Sequence, residues 1–261
     1  MRAAYIHIPF CKSICTYCDF CKVFYNSNLV SKYLKALEEE IISQYNNEVL
    51  DSIYIGGGTP SSLTLDELNY LFIILKIFKR SRHCEITFEC NIEDINEEKL
   101  YLLKENGVNR LSIGIESFNK KNLETMQRHA DFKEAKEKIK LCRKLVFSNI
   151  NVDLIYALPK ESMLTLKLDI HKLLKLGVEH ISTYSLILEK NTVLYNQKTK
   201  PIKEDLDAKM YNYIVKTLTK NGYFHYEVSN FARSGHESLH NKTYWYNEEY
   251  YGFGCGASGY I

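Results

Sequence analysis

The sequence predicts an α/β fold built on a parallel sheet, and three observations carry that reading. Six short runs, most of them almost continuously apolar, alternate with longer segments whose apolar residues recur at helical spacing. Residues capable of chemistry stand at or just after the ends of those runs, which is where parallel sheets form their ligand sites. The length, 261 residues, is within that of a single α/β barrel with one large core. Six βα units in series fit either a barrel-like or a doubly wound sheet.

The first run is AYIHI from Ala3, and a cysteine-rich loop follows it. Val30, Leu34, Leu37 and Ile41 then make a helical stripe before the second run, SIYIG from Ser52, which leads into GGGTP. Thr64 and Glu67 have the spacing of a capping box, opening a helix with Leu68, Leu71, Phe72 and Leu75 on one face. EITFEC from Glu85, RLSIGI from Arg110, NVDLIYAL from Asn151 and HISTYSLIL from His180 complete the strands. Between the last two, Met163, Leu166, Ile170 and Leu173 form another stripe. All these stripes are core. After residue 200 come an amphipathic helix (Leu206, Met210, Tyr213, Ile214), then YFHYEVSNFA and a tail ending YYGFGCGASGYI. Residues 1–200 therefore read as the sheet domain and 201–261 as the start of an α+β extension.

Composition narrows the class. An apolar fraction of 45%, a charged fraction of 25%, 20 Tyr and 12 Phe belong to a folded, soluble protein. No run approaches the roughly 18 apolar residues of a membrane span, and the first strand begins too early for a signal peptide, so the cytoplasm is the expected location. A formal charge of +2, with Lys spread along the helices, gives no reason to expect nucleic acid.

Eight Cys in a chain of that kind are poorly explained by disulfides, because cytosolic thiols are kept reduced. Cys84, Cys90, Cys142 and Cys255 are isolated in apolar surroundings and read as small core residues. Cys11, Cys15, Cys18 and Cys21 crowd one loop. Structural zinc usually takes two pairs separated by a longer segment, whereas a CxxxCxxC run suits three corners of an iron-sulfur cubane whose fourth iron stays open. The cluster is favoured, with zinc as the alternative. GGGTP taken alone reads equally as a turn or as a loop that lets backbone approach a ligand. Glu89, Glu116 and Asp153 are acidic residues in or ending apolar strands, and such groups are rarely buried without a partner.

With Tyr17 before the third Cys, the loop resembles the signature of radical S-adenosylmethionine (SAM) enzymes. YIHIPFCKSICTYCDF, YIGGGTPS, ITFECN, RLSIGIESF, QRH and NVDLIYALP stand in the order and spacing of the oxygen-independent coproporphyrinogen III oxidase family, and most resemble its haem-chaperone branch. The resemblance covers almost the whole chain. It implies a partial (β/α)6 barrel with a [4Fe-4S] cluster on Cys11, Cys15 and Cys18. It also implies SAM at Tyr5, Tyr17, Gly57, Gly58, Thr59, Glu89, Glu116, Arg128 and Asp153, with Arg128 pairing with a carboxylate. The branch implies haem binding and delivery to haem-dependent proteins, an electron donor such as flavodoxin or ferredoxin, and peripheral membrane association through haem-protein partners. The oxidase branch would instead decarboxylate coproporphyrinogen III through a 5′-deoxyadenosyl radical.

Departures from the family pattern sort the branches. Phe20 stands where the oxidases have a further Cys, and Cys21 follows one residue later as a spare thiol. The short start also agrees with the chaperones. Glu116 replaces a family Gln, exchanging a neutral group for an ionisable one. HNKTYW, from His240 to Trp245, resembles a motif linked to haem in the chaperone branch and implies that His240 ligates iron; from the residues alone it reads equally as a hydrogen-bonded His in an aromatic cluster. The family's C-terminal helical domain is missing, so the chain reads as truncated.

Overall fold

The computed structural model describes residues 2–260. Strand β1 (Ala3–Ile8) runs into a two-stranded parallel ribbon, β2 (Phe10–Cys11) with β3 (Val23–Phe24), whose connection is the cysteine loop. There follow α1 (Ser27–Gln44), β4 (Leu50–Gly57), α2 (Leu65–Leu75), β5 (Arg80–Asn91), α3 (Glu97–Glu105) and β6 (Arg110–Glu116). Next come α4 (Lys120–Met126), α5 (Phe132–Lys144), β7 (Ile150–Tyr156), α6 (Met163–Leu176) and β8 (His180–Ser185). The remainder forms α7 (Val193–Asn196), α8 (Glu204–Lys220), β9 (Phe224–His225), β10 (Asn230–Ala232), α9 (Leu239–Trp245) and β11 (Tyr250–Phe253).

Helix starts follow local chemistry. The Asn26 side chain accepts from Leu29 N and opens α1, Thr64 and Glu67 close the expected capping box on α2, and Ser162 caps α6. The predicted stripes are buried, including Val30, Leu34, Leu37 and Ile41 on α1 and Leu166, Ile170 and Leu173 on α6.

Nine strands form one sheet in the order β11-β1-β4-β5-β6-β7-β8-β10-β9. The six predicted strands are its parallel centre, and β11 and β9 are its edges. The segment after residue 200 joins this same sheet from both sides: β11 pairs parallel with β1, and β10 pairs antiparallel with β8.

Strand faces differ more than near-continuous apolar runs suggested. Ile53, Ile55, Phe88, Leu111, Ile113, Val152, Leu154 and Ile181 belong to the main hydrophobic core. The alternate residues, among them Tyr54, Glu89, Arg110, Ser112, Asn151, Asp153 and Ser182, line a pocket. Strand pairing sets Glu89 opposite Ser112, Ser112 opposite Asn151, and Asp153 opposite both Gly114 and Ser182. Polar side chains from four strands thereby become neighbours.

Candidate metal and cofactor site

The cysteine loop is held at both ends and in the middle. Val23 N donates to Pro9 O at 2.7 Å and Tyr25 N to Cys11 O at 2.9 Å, while Thr16 N and Oγ1 donate to Met126 O and Thr125 O at 3.2 and 2.6 Å. Cys11 is buried and Cys15 and Cys18 are half-buried. Burial pushes all three thiols up; Arg128 opposes this at Cys11 and Cys15, and Lys22 at Cys11 and Cys18. Two cations thus favour the thiolates that metal binding requires. Among the described residues no three His, Cys, Asp or Glu side chains are gathered closely enough for a single metal ion.

The three thiols share a pocket of about 430 Å³ with Tyr17, Gly57, Gly58, Thr59, Glu89, Glu116, Arg128 and Asp153. Gly58 is needed for close approach, since a β-carbon there would lie 2.9 Å from Cys11 Sγ and 2.8 Å from the Pro9 carbonyl carbon. Thr59 Oγ1 donates to Cys11 Sγ at 3.5 Å. Glu89 accepts from Tyr54 OH at 2.7 Å and Gly57 N at 3.1 Å. Its carboxyl is pushed up to about 7, first by burial, against those hydrogen bonds and with Asp153 adding to the rise.

Arg128 is buried and donates from Nη1 to Asn91 Oδ1 at 2.8 Å and from Nη2 to Gly114 O at 2.6 Å. Its Nε has no hydrogen-bond partner among the described residues. Both hydrogen-bond acceptors are neutral and its main charge partner is the Glu116 carboxyl, so the guanidinium can turn to an anionic group such as the carboxylate of an amino acid when Glu116 is protonated. Glu116 has φ 68° and sits where the β6–β7 register shifts. This irregularity at the strand end re-aims the side chain at a backbone cost that a non-glycine residue rarely bears. Its carboxyl is pushed up to about 7, with burial the main cause and Arg128 opposing. Asp153 is raised by burial, against hydrogen bonds from Asn151 and Ser182. The donor set fits a cluster and a zwitterionic nucleoside ligand: three thiols, an orphaned arginine nitrogen and acidic acceptors on one cavity.

Two predicted contacts lie elsewhere. Tyr5 is the third residue of β1; its ring stacks on Tyr54 with centroids 5.9 Å apart and its hydroxyl meets His7 Nδ1 at 3.1 Å, so Tyr54 stands between it and the pocket. His240 is buried, with Nδ1 at 3.0 Å from Ser52 Oγ and Nε2 at 2.8 Å from Tyr244 OH, and burial pushes it down to about 3. A haem iron would have to displace one of those bonds. Cys255 is not core: it is exposed, with its Sγ 3.6 Å from Cys21 Sγ, because its Gly-rich segment follows β11 at the sheet's edge.

Sequence reasoning missed Arg110, Tyr54, Asn151 and Ser182. Arg110 is 2% exposed; among the described residues its Nε has no partner and its side chain makes a single hydrogen bond, a 3.5 Å contact to Thr87 Oγ1. An Arg opening an apolar strand was a usable signal for it. A larger groove of about 860 Å³, lined by Thr16, Glu124, Lys160, Leu194 and Lys203 among others, contains no thiol and meets the cysteine loop only at Thr16.

Residues 5–173 match the family described as the radical SAM superfamily, and the chain belongs to it. It is 44% identical over 270 residues to the haem chaperone HemW of Lactococcus lactis subsp. lactis (strain IL1403), covering 100% of this chain and 70% of that protein. Against HemW of Bacillus subtilis (strain 168) the identity is again 44%, over 100% of this chain and 71% of the relative. HemW of Escherichia coli (strain K12) is 33% identical over 98% of this chain and 69% of the relative. Within the superfamily, the chain is a member of the HemW family. Among solved structures, the radical SAM enzyme coproporphyrinogen III oxidase (HemN) from Escherichia coli superposes with a TM-score of 0.88 at 24% identity, over 100% of this chain and 65% of that one. At that identity the likeness is one of fold.

Proposed function

We propose that the chain is a haem chaperone that holds a [4Fe-4S] cluster on Cys11, Cys15 and Cys18, binds SAM in the adjoining pocket, and delivers haem to haem-accepting proteins in the cytoplasm. The observation that carries this reading is the 44% identity to HemW chaperones across the whole chain. The site geometry supports it with three thiols beside a pocket whose arginine has an unpartnered nitrogen. When bound, the cluster supplies a one-electron reductant and one open iron.

In this reading the protein's own groups bind and orient. Arg128 would offer its guanidinium to the SAM carboxylate, the backbone at Gly57, Gly58 and Thr59 would meet its amino group, and Glu89 and Asp153 would accept from ribose hydroxyls. Tyr17 and Glu116 close the side of the pocket beside Cys15, and Tyr5 acts through Tyr54. Lys22 and Arg128 offset the thiolate charge. A flavodoxin- or ferredoxin-type donor would supply electrons, and haem-protein partners would bring the chain to membranes. Phe20, 65% exposed where the oxidases have a further Cys, argues against coproporphyrinogen decarboxylation.

Anaerobically reconstituted protein, titrated with haem and then mixed with an apo haem protein, tests the proposal. Haem bound and passed on, with coproporphyrinogen III left unchanged in parallel assays with SAM and reductant, is the expected result. Formation of protoporphyrinogen would overturn it in favour of the oxidase.

A further inference from the structure

Cys21 and Cys255 are separated by almost the entire chain, yet their sulfurs lie 3.6 Å apart on an exposed surface. Contacts that do not involve either thiol hold the two segments together. His7 Nε2 meets Cys21 O at 2.8 Å, Tyr33 OH donates to His7 O at 2.6 Å, and Cys255 N donates to Tyr33 OH at 3.2 Å. Gly256, at φ 86°, completes the frame, because a β-carbon there would overlap that of Cys21. Neither side chain is in the core, neither lines the cysteine pocket, and the function above uses neither.

We propose that Cys21 and Cys255 are a reversible thiol–disulfide pair that locks the metal-binding loop to the segment following β11. Bringing the sulfurs to a bond of about 2.05 Å needs roughly 1.6 Å of travel, within reach of side-chain torsions on a frame already in place. The oxidant is a small-molecule disulfide such as oxidised glutathione. One thiolate attacks it, forming a mixed disulfide and releasing one glutathione thiolate. The second thiolate attacks the protein sulfur of that mixed disulfide, forming the Cys21–Cys255 bond and releasing the second glutathione thiolate. Two protons leave the protein thiols and two electrons pass to the glutathione. Cys21 sits three residues beyond Cys18, so the bond restrains the loop without consuming a cluster thiol.

Cluster-loaded protein, incubated anaerobically with excess oxidised glutathione and mapped by non-reducing peptide mass spectrometry, tests the pair. The expected product is one cross-link joining the peptides containing residues 21 and 255, a loss of about 2 Da, reversal by dithiothreitol, and unchanged iron content. Cys21→Ser and Cys255→Ser should each abolish the cross-link, leave a lasting glutathione adduct on the surviving thiol, and remove the rise in thermal midpoint that oxidation gives the parent. Persistent free thiols, lasting adducts in the parent, or a cross-link from Cys21 to Cys15 or Cys18 would overturn the proposal. Loss of iron in Cys21→Ser would overturn it too, by assigning that thiol to the metal.

Discussion

Glu85 and Glu89 stand four residues apart on one face of β5 and meet different fates. Glu85 Oε1, near the strand's start, accepts from Ser238 Oγ, Leu239 N and His240 N at 3.2, 3.0 and 3.4 Å, closing the first turn of α9. Glu89, at the pocket, keeps a raised carboxyl with only Tyr54 and Gly57 as donors. Histidines repeat the lesson: His180, opening β8, meets Asn151 Oδ1 at 2.6 Å and Tyr226 OH at 2.8 Å, and His240 is held as firmly. Buried polar residues in strands serve structure where the chain supplies their partners, and those on the pocket wall with spare capacity are the ones a ligand can use. Arg110 and Arg128, each with an Nε unpartnered among the described residues, line the same pocket as Glu89.

The largest test of this contrast is Cys15→Ala at the ligand-facing end. Iron after anaerobic reconstitution should fall from about four per chain to near zero, while the denaturation midpoint of the metal-free protein barely moves. Unaltered iron content would remove Cys15 from the ligand set. Glu85→Ala attacks the other end. It strands the donors of the α9 start and should cost about 2 to 4 kcal/mol in urea unfolding, with SAM affinity of the reconstituted protein retained.

Glu89→Gln sharpens the comparison through pH. The folded carboxyl titrates at about 7 against an ordinary 4.5, so between those values the folded chain binds more protons than the unfolded one. Stability therefore falls as pH rises through this window, and the full penalty is present above about 7. In the Gln variant, metal-free protein followed by urea midpoints from pH 5 to 8 should lose part of that slope. An identical slope would deny Glu89 its raised state. The smallest effect is expected for Tyr244→Phe, which removes one partner of His240 and should cost about 1 kcal/mol. A gain in haem affinity in that variant would show that the freed imidazole can reach iron.

Much of the ligand-facing end was legible because its signals are local. CxxxCxxC, GGGTP and acidic residues ending apolar strands can be read within a few positions, and so can the Thr64–Glu67 capping box. The structural end was less legible because its partners lie far apart: Glu85 finds Ser238, Ser52 finds His240, and Arg110 is left over only once the strands align. Strands of three and four residues at Asn230–Ala232 and Tyr250–Phe253 owe their existence to edges already formed by β8 and β1, so no run of their own announces them. Cys255 misled for the same reason, since solitude in the sequence says nothing about which distant thiol is alongside.

The parallel pairing of β11 with β1 bears on how the chain is made. Ala3 lies opposite Tyr250, so one side of β1 waits for its partner until residue 250 has been translated. Throughout that interval β1 is an unpaired edge, the sort of surface that invites the wrong neighbour. The cysteine loop is synthesised beside this open edge, whereas the segment that meets it at Cys255 follows Cys21 by 234 residues.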